Sequence, residues 1–478
     1  MMNTARSHIV LLSLLLVALV MIQGLYLILL NPITENTHQF LDSLPDEDAR
    51  SISSTANHIN NNNNNNKHQD QGQEEQNQQQ QQQPPIKIAY AVTVSKCESL
   101  QSDALQSAPL LAHHIHAMSC RNQQNNGADT IHRSKYDYHL FALASKTQVI
   151  PECVNLLEQF GYEVLLLDVP INETLITNKP YLTYLHTNGC CGAHEFIKLY
   201  AYTLTKYPLV IHLDLDTMLL QPLDDLIDSF ILEGEANRNV ARSKLQIMRP
   251  TQTGGKTNTI QAMFTRDYQQ VFMALRASTN YKHIPIQGGF FAVVPNQTVF
   301  DILIYMVHTA NYTITGGWGG IMHTTSCWGD PQIQGLLGYY YSFIQPDQGL
   351  ELHNCYYNNI LSEPIWDGTC IPQVEPCIDC RKVPPQEVKL SHPIFCHKPW
   401  SCPQWEKEGK KHFPRATPCR WYLNKWYLTR KQVEEGWSMN HQRKWNKTVA
   451  DGEFMTDIFL GYCHENKTFI PMDFSHYG

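Results

Sequence analysis

Leu209–Leu226 reads LVIHLDLDTMLLQPLDDL, and its reading decides the fold. Leu209, Val210, Ile211, His212 and Leu213 form a short, mostly apolar run that breaks at Asp214-Leu215-Asp216. Such a run, ended by turn signals, predicts a buried strand of a parallel sheet. Two carboxylates one residue apart at its C-terminal end stand at the edge where open α/β sheets bind ligands. Hard oxygen ligands there suit a divalent cation, and a divalent cation suits a diphosphate. The triplet alone is weak, because Asp46-Glu47-Asp48 has the same pattern in a polar segment with no strand before it. Context separates the two.

Working outward, the folded sequence opens with Ile86–Val94 (IKIAYAVTV), read as a strand. Ser107–Met118 reads as a helix, Tyr138–Ala144 as a strand, Val154–Phe160 as a helix and Glu163–Leu167 as a strand. His194–Thr205 reads as a helix, with Phe196, Ile197, Tyr200, Ala201 and Leu204 on one face, and Gly288–Val294 as a further strand. Alternating strands and helices predict an α/β fold, a mostly parallel sheet covered on both faces. Beyond about Pro403 the pattern is irregular and rich in Trp, so residues 403–478 are expected to form an extension packed on this domain.

Ahead of the domain the sequence divides clearly. Ile9–Leu30 carries no charge and is long enough to cross a bilayer as a helix. Arg6 precedes it, and Glu35, Asp42, Asp46, Glu47 and Asp48 follow it, which places residues 1–8 in the cytosol and the body in the lumen. Asn31-Pro32-Ile33-Thr34 is not a small-x-small cleavage site, so a signal anchor is favoured over a cleaved signal peptide. Residues 31–85 hold the tracts Asn60–Asn66 and Gln78–Gln83 with few apolar residues, and are expected to be a disordered stem. Five glycosylation sequons, at Asn172, Asn296, Asn311, Asn446 and Asn466, agree with a lumenal body. So do the 14 cysteines, crowded from Cys355 to Cys419, which in an oxidising compartment read as disulfides. Cys377-x-x-Cys380 lacks a second clean pair for zinc. The formal charge of −8, without a basic run, argues against a nucleic-acid partner.

Four stretches in order give the chain its resemblance: Lys198-Leu199-Tyr200-Ala201-Tyr202-Thr203-Leu204 leading to Leu213-Asp214-Leu215-Asp216-Thr217; Gln221-Pro222-Leu223-Asp224-Asp225-Leu226; Gln287-Gly288-Gly289-Phe290-Phe291-Ala292-Val293; and His392-x5-Lys398-Pro399-Trp400. Over residues 86–402 the chain resembles glycosyltransferase family eight, the glycogenin-like group, and its anchor and sequons resemble the Golgi members more than cytosolic glycogenin. The resemblance implies a GT-A nucleotide-diphospho-sugar transferase fold. It implies that Asp214, Asp216 and His392 hold Mn²⁺, with Mg²⁺ as the alternative, against the diphosphate of a UDP-sugar. His397 is a rival to His392. Lys398 is implied to contact the diphosphate, and Lys198 the nucleotide or the sugar. Gln287, with Gly288 after it, takes the place near the transferred sugar where the family has Asn or Asp. Gln334-Gly335 fits the family's Gln-Gly register, which puts Ile333 where an Asp is usual; Asp330 is the substitute if the loop bulges. Asp214, Asp216, Gln287 and Lys398 are thus the expected catalytic set. Trp318 and Trp328 are candidates for an acceptor platform or for packing.

The implied activity is a retaining hexosyltransferase acting on a glycan or glycoprotein acceptor in the Golgi or ER. The alternatives are a glucuronyl- or xylosyltransferase of polysaccharide synthesis, and a non-catalytic sugar-nucleotide-binding or scaffold protein of the same fold.

Overall fold

The apolar run before Asp214 is a strand, Val210–Leu213, within a seven-stranded sheet in the computed structural model. The structure describes residues 84–120, 133–187, 191–248, 260–268, 281–320, 331–361, 365–366, 369–370, 378–394, 396, 398–402, 416–436, 462–463 and 469–474. The expected anchor, stem and cytosolic tail lie outside them. Among the described residues no helix is long and apolar enough to cross a membrane.

The sheet's strands are β1 (Lys87–Val94), β2 (Asp137–Ser145), β3 (Tyr162–Leu167), β4 (Val210–Leu213), β5 (Ala262–Arg266), β6 (Ile286–Val293) and β7 (Gly349–Glu351), in the order β3-β2-β1-β4-β6-β5-β7. β1 pairs in parallel with β2 and β4, β2 with β3, and β5 with β7. β6 is the reversed strand, antiparallel to both β4 and β5. The architecture is a mixed α/β fold with a mostly parallel sheet.

Side-chain alternation explains the layers. Ile88, Tyr90 and Val92 of β1 point to one face, where they meet α1 (Asp103–Met118), α2 (Pro151–Gln159) and the C-terminal helix. Ala89 and Ala91, with Phe141 and Leu143 of β2, point to the other. That face is covered by a 3-10 helix at Gly192–Thr203, α3 (Gln297–Thr309) and α4 (Ile333–Tyr339). A sheet apolar on both faces must be covered on both.

Three elements differ from the sequence reading. α1 begins four residues earlier than Ser107, with Pro109 inside it and Ser102 at its N-cap. The segment read as an ordinary helix at His194–Thr205 is the 3-10 helix, and its period of three brings Phe196, Leu199 and Tyr202 into the core while Tyr200 is only partly buried. The C-terminal stretch read as irregular contains α5 (Ala416–Gly436), whose Tyr422, Leu423, Trp426 and Tyr427 join the α1 face of the core.

Disulfides join Cys97 to Cys153, Cys355 to Cys380, Cys396 to Cys419 and Cys402 to Cys463. Cys380 is therefore a disulfide partner; Cys377 lies outside the described residues. The sequon asparagines Asn172, Asn296 and Asn311 are all exposed, and Asn446 and Asn466 lie outside the described residues.

Candidate metal and diphosphate site

Asp214 follows the last residue of β4. Its N–H donates to Gly289 O of β6 at 2.9 Å. Its carbonyl accepts from the Thr217 N–H at 3.1 Å and from the Thr217 hydroxyl at 2.7 Å, so the chain turns sharply between the two carboxylates. Two residues after the turn begins to close, Met218–Leu219 pairs antiparallel with Leu390–Ser391, Ser391 opposite Met218. That ladder delivers His392. The His392 N–H donates to Asn359 O at 3.0 Å, and its ring lies on Gly289, where a Cβ would come within 2.2 Å of Cε1. Only glycine leaves room for the imidazole there.

Among the described residues Asp214, Asp216 and His392 form a group whose potential ligand atoms all lie within 4.8 Å of one another. His392 Nε2 is 3.1 Å from Asp216 Oδ1. Adjacent ligands about 2.1 Å from an octahedral ion sit about 3 Å apart, so this pair has the spacing of a shared cation. Two carboxylates and an imidazole are a mixed oxygen and nitrogen set that suits Mn²⁺. The residues present fit the ion.

Cations flank the pair on both sides. Lys198 Nζ lies 2.9 Å from Asp214 Oδ1 and 3.0 Å from Glu195 Oε2, and donates to Gly288 O at 3.3 Å. In a 3-10 helix residues i and i+3 eclipse, which stacks Glu195 beneath Lys198. Burial opposes the Lys198 charge, but the Asp214 and Glu195 carboxylates outweigh it and hold the ammonium above its ordinary pKa. Burial pushes the Asp214 carboxyl above the usual range; Lys198 and His392 pull against the rise, and Asp216 and Glu195 add to it. Asp216 goes the other way. Burial again opposes its charge, but His392 and Lys398 overcome that and hold it well below the usual carboxylate range. Lys398 pairs directly with Asp216 Oδ2, and its side chain is one-third exposed, at 33%.

The carboxylates border a cleft of about 330 Å³. Thr93 and Ser95 at the end of β1, Asp103 at the start of α1, Glu195, Lys198 and Trp400 line the rest. A larger cavity, about 1020 Å³, opens between α1 and α5 and is lined by none of these side chains. Among its described lining residues there is no carboxylate, so the chemistry belongs to the smaller cleft.

The structure places the other expected residues close by, though not all in the cleft. Gln334 Oε1 accepts the Gly288 N–H at 2.8 Å, which joins α4 to the start of β6 next to Lys198. Gln287 is buried behind the glycines. Its Oε1 accepts the Gly289 N–H at 2.7 Å and Asn358 Nδ2 at 2.8 Å, and the residue does not line the cleft. Ile333 is wholly buried in the core. Trp318 is buried against Tyr181 and Tyr312, which assigns it to packing. His397, Asp330 and Trp328 lie outside the described residues.

Sequence reasoning missed Glu195, Gly289 and Asn358. Glu195 was legible as a carboxylate three residues before Lys198 in a helical segment. Gly289 was legible as the second glycine of a strand entry. Asn358 gave no signal, since only the fold brings it to Gln287.

No family model matches the chain, and no curated protein matches it. Among solved structures it is similar to apo mouse xyloside xylosyltransferase 1, at 12% identity and a TM-score of 0.37, over 64% of this chain and 97% of that one. It is similar to the apo bifunctional glycosyltransferase WbbM, at 13% identity and a TM-score of 0.35, over 66% of this chain and 47% of that one. It is also similar to the galactosyltransferase LgtC in complex with donor and acceptor sugar analogs, at 10% identity and a TM-score of 0.34, over 66% of this chain and 89% of that one. With all three TM-scores below 0.5, the functional reading rests on the geometry of the site.

Proposed function

We propose that this chain is a metal-dependent, retaining glycosyltransferase of the GT-A fold, moving a hexose from a UDP-sugar to a glycan or glycoprotein acceptor. The observation that carries the reading is one donor set closed from two distant parts of the chain. Asp214 and Asp216 stand at the end of a parallel strand, and His392 and Lys398 reach them from the late segment, with Lys398 182 positions beyond Asp216. Three carboxylates, Glu195, Asp214 and Asp216, face two lysines and one imidazole. A divalent cation and the diphosphate of a UDP-sugar carry equal and opposite charge, so together they enter the site without upsetting that balance.

When bound, the ion supplies neutralisation of the charge that develops on the departing diphosphate. Asp214, Asp216 and His392 would hold it. Lys398, one-third exposed beside Asp216, would shift its ammonium to a phosphate oxygen, where it stabilises the leaving group. Lys198 fixes Asp214 and the Gly288 carbonyl in place. The acceptor hydroxyl attacks from the face the diphosphate leaves: its oxygen bonds the anomeric carbon, the sugar–phosphate bond breaks, and the hydroxyl proton passes to the leaving phosphate oxygen. Retention through two paired carboxylates needs a second carboxylate at the sugar; of the other carboxylates lining the cleft, Glu195 is paired with Lys198.

Asp216→Asn tests the reading. Turnover should fall below detection and UDP binding in Mn²⁺ should weaken, with the circular dichroism spectrum unchanged; normal turnover would remove the metal assignment. Glucuronyl or xylosyl transfer would use the same ion and diphosphate contacts, so a panel of UDP-sugars read by UDP release identifies the donor. One observation favours a second reading, a sugar-nucleotide binder without catalysis: Gln287 and Ile333 both turn away from the cleft. Mn²⁺-dependent UDP binding with no release of UDP from any donor would establish it.

The secretory setting, a single-pass anchor at 9–30 with the catalytic domain in the lumen of the Golgi or ER, is part of the same proposal. The exposed Asn172, Asn296 and Asn311 support it. Glycans removable by endoglycosidase should appear on the expressed protein, and their absence at every sequon would count against a lumenal domain.

A further inference from the structure

His392 and Lys398 stand six residues apart, yet they are anchored to different parts of the molecule. His392 belongs to the sheet side: Ser391 pairs with Met218, Asn359 O holds the His392 N–H, and Gly289 receives the ring. Lys398 belongs to the C-terminal side. Cys396, two residues before it, is bonded to Cys419 of α5, and Cys402, four residues after it, is bonded to Cys463. Tyr427 of α5 donates its hydroxyl to Pro399 O at 2.5 Å, and Trp400 meets Trp426 edge-on with ring centroids 6.3 Å apart. The segment carrying Lys398 is thus fastened covalently at both ends and by a hydrogen bond in the middle.

Resting on the glycosyltransferase reading above, we propose that α5 and Cys463 form the diphosphate-gripping half of the site, with Tyr427 and the two cystines as positioning residues for Lys398. The metal ligands are anchored elsewhere, in the sheet, at Asn359 and at Gly289, and α5 meets their ladder through Tyr422, which hydrogen-bonds Ser391, and not through Tyr427 or the cystines. A segment fastened at two points loses most of its freedom before any ligand arrives, so little ordering remains to be done when the diphosphate binds. In this arrangement Lys398 is pre-placed on Asp216, which borders the cleft, instead of being delivered by closure of a loose loop. Metal affinity and diphosphate affinity should therefore be separable by mutation.

The experiment uses the full chain, the double variant Cys402→Ser/Cys463→Ser and the milder Tyr427→Phe. Mn²⁺ affinity is measured alone by electron paramagnetic resonance, and UDP affinity at saturating Mn²⁺ by calorimetry. Amide hydrogen exchange over 398–402 reports whether the segment has been released. The expected result is faster exchange, Mn²⁺ affinity within about twofold of wild type, and UDP affinity lower by about tenfold in the double variant and about threefold in Tyr427→Phe, since lost preorganisation is paid at the moment of binding. Faster exchange with unchanged UDP affinity would overturn the proposal. So would equal losses of Mn²⁺ and UDP affinity, which would mean that the cystines support the site as a whole. If the double variant does not fold, Tyr427→Phe decides on the same criteria. A wild-type chain that binds Mn²⁺ but no UDP would overturn the glycosyltransferase reading together with this inference, an outcome distinct from wild-type binding that the variants leave untouched.

Discussion

Gly289 does more at this site than its size suggests. It has no side chain, and the space that leaves is filled by the His392 imidazole. Its carbonyl holds Asp214, and its N–H is held by Gln287. One residue therefore touches both ends of the split donor set. Gly289→Ala should leave the sheet intact, because its backbone is ordinary strand, but push His392 off Asp216. Mn²⁺ affinity is expected to fall about 10–100-fold, the range seen when groups that orient metal ligands are lost. Unchanged affinity would show that His392 is not a ligand. At this scale much was legible. The two Asp could be read from a strand that ends in a turn, and His392 from its spacing to Lys398. Gln287 is expected from the sequence near the transferred sugar, and in the structure its oxygen is committed to Gly289 and Asn358. That commitment depends on residue 358 arriving from 71 positions away, which no local pattern encodes.

At the scale of elements, the 3-10 helix at Gly192–Thr203 is the clearest case of a period misread. Both a 3.6 and a 3.0 repeat could be laid over FIKLYAYTL, because aromatic and aliphatic residues fall on nearly every position. The structure chose three, which buries Leu199 and sets Glu195 beneath Lys198. Leu199→Ala should then cost about 2–5 kcal/mol, as for a buried leucine. Chemical unfolding would read it, and a cost of a few tenths of a kcal/mol would return the segment to an ordinary helix with Leu199 outside. Strand direction was equally hidden. GGFFAVV is apolar throughout and reads the same whether its neighbours run with it or against it, so the reversal of β6 could come only from its pairing. α5 was missed because its Trp, Tyr and charged residues do not divide into one apolar and one polar face. It is held by the α1 side of the core and by the Cys396–Cys419 disulfide more than by its own pattern.

For the whole molecule, the alternation up to Asp214 was legible in its strands, because each is a short apolar run; the helix Lys179–Thr187, between β3 and the 3-10 helix, was not read. What the C-terminal part does for the domain was not. α5 closes over α1, and His114 of α1 marks the seam: its Nε2 bonds Thr429 Oγ1 at 2.9 Å. The Thr429 hydroxyl donates to Lys425 O, so it accepts from the His114 Nε2–H, and burial keeps the imidazole neutral. Burial, with Lys425 and His113 adding to it, pushes the His114 pKa down to about 3. The sign follows directly. The unfolded chain takes up a proton here below about pH 6.5, and the folded chain does not until about pH 3. Stability from this residue is complete above pH 6.5 and is lost on acidification, by up to about 1.4 kcal/mol per pH unit. His114→Asn should flatten the fall in unfolding free energy between pH 6.5 and 4.5, whatever its effect at neutral pH; an unchanged slope would refute the neutral assignment.

The reversed strand carries one last consequence, for anyone who wishes to re-engineer the chain. The parallel strands β1 and β4 reach the cleft with their final residues, so the loops that follow them are part of it. β6 runs the other way, and its first residues stand behind the site, where Gly288 and Gly289 meet Lys198, Asp214 and His392. Grafts placed before Ile286 would therefore fall on the side of the sheet that carries the site. Grafts placed after Val293 would fall at the far edge of the sheet, where a tag or a fused domain could be carried without being felt by the ion.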